Sequence, residues 1–130
     1  MIWNLLNTGL RSGTFNMAFD EHLALRLKEG TGTPTLRLYG WQPYALSIGF
    51  NQTREEFDTL KLHHEGIDIV RRPTGGRAIL HAHELTYSIV MNSKEKSPKE
   101  IYRFISEGLL CGLHELGIDE IGRASCRERV

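Results

Sequence analysis

The chain has 130 residues, of which 40% are hydrophobic and 25% are charged, and its formal net charge at pH 7 is zero. These values are typical of one ordinary globular domain. Charge neutrality argues against a general basic field that would attract nucleic acid or a membrane surface, so any anion site must be local.

The apolar runs are far shorter than the ~20 residues needed to span a bilayer, and the N-terminus lacks the features of a signal peptide. We therefore expect a cytoplasmic protein with no nucleic-acid or membrane partner. Cys111 and Cys126 belong to no CxxC pair, which argues against a zinc or thiol-exchange site. Cys111 is interpreted as a packing residue of a helix.

The first predicted helix is "NMAFDEHLALRLKEG", in which Phe19, Leu23 and Leu27 lie four residues apart on one face. Alternation in "TLRLY" and "ALSIGF" around the turn "GWQP" then predicts two strands that form a hairpin. A capping box from Thr53 to Glu56 predicts a short helix that follows.

The second half of the chain begins with a predicted strand, "IDIV", and continues through a loop, "RRPTGGRAILHAHE", to a second strand, "LTYSIVM". The last predicted helix is "SPKEIYRFISEGLLCGLHELG", with Ser97 as N-cap, Glu100 completing a capping box and Gly117 as C-cap. The pattern predicts an α+β fold with one mixed, largely antiparallel sheet flanked by helices.

The helical pattern stops near Asp119, and residues 120–130 have no period. Their letters match an in-frame translation of a common DNA sequencing adaptor, so we expect this tail not to be native. The alternative is a natural basic C-terminus. Residues 1–119 are accordingly treated as one domain.

The loop between the two predicted strands has the composition of an anion-binding loop. Gly75 and Gly76 allow backbone amides to approach a ligand without side chains in the way. Further donors are the hydroxyl of one threonine and the guanidinium groups of three arginines, namely Thr74, Arg71, Arg72 and Arg77. A plain turn with solvated arginines is the simpler alternative, and this local density of donors argues against it.

Other chemistries have weaker support. His81 and His83 at i and i+2, with Glu84, suggest a metal site, but a third strong ligand is not evident. A serine hydrolase is disfavoured because no G-x-S-x-G elbow occurs. Asp20 and Glu21 resemble an acid and base pair, although helix-dipole stabilisation near an N-terminus is the favoured interpretation.

Four segments together resemble the biotin/lipoate protein ligase superfamily over residues 1–119: "FNMAFDE", "LRLYGWQPYALSIGFNQ", "VRRPTGGRAILHAHELTYS" and "YRFISEGLLCGLHELGID". Within it they are most similar to the octanoyltransferase type of Gram-positive bacteria. The resemblance implies a catalytic domain like that of biotin ligases and class II synthetases, of which residues 1–119 would be the N-terminal portion.

The resemblance also implies an activity. Octanoyl would move from acyl carrier protein to a lysine of a lipoyl domain, such as glycine-cleavage H protein, through a cysteine acyl-enzyme and without a cofactor. An ATP- and magnesium-dependent lipoate-protein ligase is the first alternative, and a non-catalytic acyl-binding module is the second.

By the same resemblance, nine residues would bind the acyl group: Arg71, Arg72, Thr74, Gly75, Gly76, Arg77, Ala78, His81 and Tyr87. Leu46 and Ile48 would line a tunnel for the chain together with Tyr87. The nucleophilic cysteine and its supporting lysine would lie beyond residue 119. No catalytic residue is therefore expected within residues 1–119, and the 130-residue chain is expected to be inactive.

Overall fold

A computed structural model of the chain describes residues 2–93 and 95–119. The described residues divide between Asn92 and Ser93 into two compact units, and each is described by itself. The tail at 120–130, which the sequence predicts to be foreign, lies outside the described residues. None of the helices in the described part of the chain is long and apolar enough to cross a membrane.

The first unit contains six strands, two α-helices and a short 3-10 turn among its described residues: β1 (Asn4–Arg11), α1 (Gly13–Lys28), β2 (Thr35–Trp41), β3 (Ala45–Ile48), the turn (Arg54–Glu56), α2 (Thr59–His64), β4 (Asp68–Arg71), β5 (Ile79–His81) and β6 (Thr86–Val90). The α+β class is confirmed. Sequence reasoning missed β1 and β5, and the predicted loop therefore joins β4 to β5 rather than to β6.

These strands form two three-stranded sheets, with the orders β1-β2-β6 and β4-β3-β5. The central strand of each sheet is parallel to one neighbour and antiparallel to the other, so the predicted predominance of antiparallel pairing is replaced by an even division among the described strands. The prediction of one sheet was wrong, because alternation within a strand does not identify its partner.

The predicted hairpin of β2 and β3 was also wrong, since the two strands belong to different sheets. After Trp41 the chain does not turn back along β2. Instead, the Gln42 amide donates to the Arg11 carbonyl at 2.9 Å, and Pro43 supplies no backbone donor for a ladder. Ala45 then pairs with Asp68 and His81 in the second sheet.

Helix α1 contacts β2, β4 and β6 and thereby lies against strands of both sheets. It begins three residues before the predicted start, because the Ser12 hydroxyl caps it by accepting from the Phe15 amide at 3.2 Å. Gly13 is required in its first turn, since a Cβ there would lie 2.8 Å from a methyl group of Val70.

The buried face of β2 is the polar and aromatic one. Thr35, Arg37, Tyr39 and Trp41 are buried, whereas the intervening leucines are half-buried. Tyr39 and Trp41 join Ala45 and Val70 in the apolar core. Hydrophobic alternation alone favours the opposite orientation of this strand, with the leucines inward.

The capping box of Thr53 and Glu56 is present, but it caps the N-terminus of the 3-10 turn and not that of the predicted helix. Helix α2 begins later than predicted, where the Asp58 carboxylate accepts from the Lys61 amide at 3.0 Å. The second unit contains α3 (Pro98–Glu115), and its predicted capping box of Ser97 and Glu100 is confirmed.

Cys111 is exposed on α3, so its interpretation as a packing residue was wrong for the described unit.

Candidate functional site

The residues between β4 and β5, 72–78, form a segment that we call the glycine loop. It lies directly against the end of β3: an ideal Cβ placed on Gly49 would come within 1.8 Å of the Gly76 carbonyl oxygen. The Phe50 amide also donates to the Thr74 carbonyl at 3.0 Å. Gly76 has a φ of 94°, a conformation that favours glycine. Glycine is therefore required at position 49, for lack of space, and favoured at position 76, because of its φ angle.

Arg71 fastens the segment that follows β3. Its Nη1 lies 3.1 Å from the Gly49 carbonyl oxygen, 3.0 Å from that of Phe50 and 2.5 Å from that of Gln52. One guanidinium thus lies against three carbonyl groups of residues 49–52, and the turn that faces the glycine loop is held in place.

Arg72 shapes the glycine loop from within. Its Nη1 donates to the carbonyl and the hydroxyl of Ser47 at 2.8 and 2.7 Å. Its Nη2 donates to the carbonyls of Gly75 and Arg77 at 3.2 and 2.7 Å. Partial burial lowers the pKa of Arg72, and these four acceptors offset the loss of water. The predicted contact of Arg72 with an acyl group stays a prediction.

The remaining residues of the loop face solvent. Thr74, Gly75, Gly76 and Arg77 are exposed, and Ala78 is half-buried. The loop is therefore a rigidly anchored segment whose exposed side carries a hydroxyl, a guanidinium and two glycine positions. Such an arrangement can approach an anion or a polarised carbonyl group closely.

His81 is buried at the end of β5, beside the loop. Its Nε2 lies 2.7 Å from the Ser47 hydroxyl oxygen, and its Nδ1 makes a short hydrogen bond with Glu84. Its ring stacks on the indole of Trp41, with 4.0 Å between ring centroids and 11° between ring planes. The imidazole is thus fixed by one contact at each nitrogen and one on its face.

Glu84 has a second donor, the Thr86 hydroxyl at 2.7 Å, which in turn accepts from Trp41 Nε1 at 2.8 Å. Partial burial by itself would raise the pKa of Glu84, but the hydrogen bonds from His81 and Thr86 and the neighbouring imidazole outweigh it, and the pKa is lowered. Glu84 is therefore ionised at neutral pH.

The family model described as "Lipoyl protein ligase A/B catalytic domain" matches residues 12–127. The chain belongs to this family. It is 50% identical, over 90% of its own length, to the octanoyltransferase LipM of Kyrpidia tusciae, of which it covers 44%. The resemblance inferred from the four sequence segments is confirmed, and the chain spans less than half the length of this relative.

Solved structures of lipoate-protein ligases are also similar to this chain. A lipoate-protein ligase A bound with ATP matches 96% of this chain and 53% of its own, with 29% identity and a TM-score of 0.80. A bi-partite lipoate protein ligase from Thermoplasma acidophilum, described with its E2 lipoyl domain, matches 95% of this chain and 49% of its own, with 28% identity and a TM-score of 0.79.

The described residues of this lipoyl protein ligase A/B family member contain no group of three metal-ligating side chains. His83 does not share a face with His81, because β5 ends at His81. Its Nε2 instead lies 2.5 Å from the hydroxyl of Tyr44, and both of these side chains are exposed.

Asp20 has a different role from the two that the sequence suggests. Because α1 begins at Gly13, Asp20 lies beyond the first turn, and the favoured dipole interpretation was wrong. Its carboxylate accepts from Arg37 Nε at 2.9 Å and from the Ser88 hydroxyl at 2.7 Å. Asp20 therefore joins α1 to β2 and β6.

Among the residues predicted to line a tunnel, Ile48 is buried and Leu46 half-buried in the β4-β3-β5 sheet. Tyr87 lies in the other sheet, pairs with Leu38 and is 43% exposed. Sequence reasoning missed Ser47, the link between Arg72 and His81. No local signal marks it, because it is one serine in a strand 34 positions before its histidine partner.

Proposed function

We propose that this chain is the acyl-binding part of an octanoyltransferase of protein lipoylation. The observation that carries the proposal is its 50% identity to an octanoyltransferase over 90% of its length. The exposed, anchored glycine loop supports it, because a thioester carbonyl develops negative charge when a nucleophile attacks, and fixed donors stabilise that charge.

The site comprises the nine residues that the sequence predicts, divided by role. Arg71 and Arg72 hold the turn and the loop through protein carbonyl groups. The loop residues that approach the activated carbonyl are Thr74, Gly75, Gly76, Arg77 and Ala78. His81 supports the loop through Ser47, which accepts from Arg72, and Tyr87 contacts the hydrocarbon chain. Burial of that chain contributes ~0.8 kcal/mol per methylene.

The transfer proceeds through a cysteine acyl-enzyme. Octanoyl leaves the thiol of acyl carrier protein, forms a thioester with the cysteine and then an amide with a lysine of a lipoyl domain, such as that of glycine-cleavage H protein. We assign no catalytic residue to residues 1–119, and the cysteine and its supporting lysine lie outside them. A structural relative described with its E2 lipoyl domain supports this class of acceptor.

A lipoate-protein ligase is the second candidate, because a ligase bound with ATP has a TM-score of 0.80 to this chain. In that case the glycine loop faces an acyl adenylate, and ATP with Mg²⁺ is required.

One titration separates the candidates. The ¹⁵N-labelled chain is mixed with octanoyl-acyl carrier protein, with unacylated carrier protein, and with ATP and Mg²⁺, and the amide signals of Gly75 and Gly76 are followed. A saturable shift that requires the octanoyl group supports the transferase, and a saturable shift with ATP supports the ligase. Gly66, two residues after the end of α2, is the internal reference and should stay unchanged. Loop signals that respond to neither addition contradict both proposals.

Catalysis is tested separately with octanoyl carrier protein and a lipoyl domain. We expect no octanoylated lipoyl domain by mass spectrometry from the 130-residue chain alone. Its formation would show that the nucleophile lies within this chain.

A further inference from the structure

A line of hydrogen bonds joins Arg72 to Glu84 through Ser47 and His81. The guanidinium of Arg72 has only donors, so the Ser47 hydroxyl oxygen accepts from it. The single proton of that hydroxyl is then directed to the other partner of Ser47, which is Nε2 of His81. If Nε2 carried a proton and donated to the second lone pair of the Ser47 oxygen, the proton of this buried hydroxyl would be left without an acceptor, so the arrangement favours an unprotonated Nε2.

The hydrogen bonds of Glu84, at the other end of this line, also favour a proton on Nδ1 of His81 and none on Nε2. An ionised carboxylate only accepts, and Glu84 accepts from Nδ1 of His81 and from the hydroxyl of Thr86. The proton of a neutral His81 therefore resides on Nδ1. Stacking on Trp41 keeps the ring plane aligned with both partners. The directions of these bonds agree, so the two buried side chains of the line, Ser47 and His81, have all their polar atoms satisfied.

Ser47, His81 and Glu84 have the connectivity of a serine hydrolase triad, but the geometry does not allow that role. Ser47 is 0% exposed, and its oxygen already accepts from Arg72. A nucleophile must reach a substrate carbonyl, and this hydroxyl has no route to solvent. The three side chains therefore act on one another and on the loop.

We propose that Glu84 is a positioning residue for the glycine loop. By holding the proton of His81 on Nδ1, it makes Nε2 the acceptor for the Ser47 hydroxyl proton, and the oxygen of this oriented hydroxyl accepts from Arg72. Arg72 then closes the loop through the carbonyls of Gly75 and Arg77. This inference rests on the proposed function, since the loop that Glu84 supports is the acyl-binding element.

The groups that face His81 come from four elements of the fold. They are Trp41 of β2, Ser47 of β3, Glu84 beyond β5, and Arg72, which reaches His81 through Ser47.

Without the negative charge of Glu84, the proton of His81 can move from Nδ1 to Nε2. The Ser47 hydroxyl proton then lacks an acceptor in a buried site, and its contact with Arg72 is weakened.

The tautomer is measured directly by two-bond ¹H–¹⁵N spectra of ¹⁵N-histidine-labelled protein, recorded on the alkaline side of the titration midpoint observed for His81 in the same spectra. We expect a protonated Nδ1 and an unprotonated Nε2 for His81 in the wild-type chain. In Glu84→Gln we expect the Nε2-protonated form to appear. The Arg72 Nη protons should also exchange with solvent about tenfold faster, because the hydrogen bond from this charged group to the Ser47 hydroxyl is weakened.

Two matched variants accompany Glu84→Gln. Glu65→Gln neutralises an exposed carboxylate at the end of α2 and should leave the His81 spectrum unchanged. Glu84→Asp keeps the charge and should restore the Nδ1-protonated form in part, which a purely steric role does not predict. An Nε2-protonated His81 in the wild-type chain overturns the inference, even if Glu84→Gln fails to fold.

The same variants separate this inference from the proposed function. If octanoyl carrier protein shifts the loop signals of the wild-type chain and binds Glu84→Gln equally well, the positioning role is wrong and the acyl site stands. If it shifts neither, the proposed function is wrong, while the tautomer spectra still decide how Glu84 acts on His81.

Discussion

Nε of the fully buried Arg37 donates to the carboxylate of Asp20 at 2.9 Å, and this ion pair joins β2 to α1. The guanidinium also donates to Thr8 of β1 at 2.9 Å and to the side chain of Asn16 at 3.2 Å. It lies 3.6 Å from the ring centroid of Tyr39. A buried charge with this many partners is tolerated only while all of them remain.

Asp20→Ala should therefore lower the free energy of unfolding by about 3–5 kcal/mol, because it leaves the Arg37 charge buried without its counter-ion. Urea denaturation followed by tryptophan fluorescence measures the change. Glu107→Ala is the matched control: it removes the exposed pair of Arg103 and Glu107 on α3 and should change little. Equal effects of the two substitutions would contradict the structural role assigned to Asp20.

Substitution by alanine should destabilise the fold at Gly49 but not at Gly75. Gly49→Ala drives a Cβ to 1.8 Å from the Gly76 carbonyl oxygen, so we expect a loss of about 1–3 kcal/mol and a displaced loop. Gly75→Ala meets no atom within 4 Å and should leave stability within about 0.5 kcal/mol. Its methyl group lies on the exposed loop, however, and should weaken the binding of octanoyl carrier protein. Unchanged binding by Gly75→Ala would argue against a close approach of the acyl carbonyl at this position.

Tyr39 should ionise at an unusually high pH for a tyrosine. Burial raises the pKa of Tyr39 to about 12, and the nearby Asp20 carboxylate adds to the effect. Since the unfolded pKa is about 10, the stabilising contribution is complete below pH ~10 and is lost as the pH rises toward the folded value. Phenolate absorbance during alkaline titration should show a late step that Tyr39→Phe removes. If Tyr39→Phe removed absorbance only near pH ~10, this assignment would be refuted.

The free energy of unfolding should fall at acidic pH in part because Glu84 becomes protonated. Because its pKa is lowered in the folded chain, its stabilising contribution is present above the unfolded value of about 4.3 and disappears as the pH falls through the lower folded value. Urea midpoints of the wild type and of Glu84→Gln should therefore converge below pH ~4. A difference that stays constant across this range would mean that the charge of Glu84 does not stabilise the fold.

Much of the local structure could be predicted from the sequence. The capping box of Ser97 and Glu100, the left-handed Gly117 just after α3, and the strands β4 and β6 depend on neighbouring residues along the chain. Such signals are readable because hydrogen-bonding and φ preferences act within a few residues. The composition of the glycine loop likewise identified an anion-binding candidate before its position in the fold was known.

The strand partners could not be predicted in the same way. Alternation identified β2 and β3 as strands, yet it could not show that they belong to separate sheets, since any two strands of suitable pattern can pair. The alternating pattern of β2 also could not show which face is buried: Arg37, which pairs with Asp20, lies on the inner face, and the leucines are half-buried. That pair satisfies a charge that would otherwise oppose burial.

By itself, the sequence determined the class of the fold, the family resemblance and the residues of the loop between β4 and β5, because each is encoded in contiguous motifs. Only the tertiary structure decided what Arg72, Ser47, His81 and Glu84 do together. Ser47 and His81 are 34 positions apart, and their hydrogen bond exists only because β3 and β5 pair in one sheet. Long-range pairing brings such groups into contact, and burial then makes every unsatisfied partner costly.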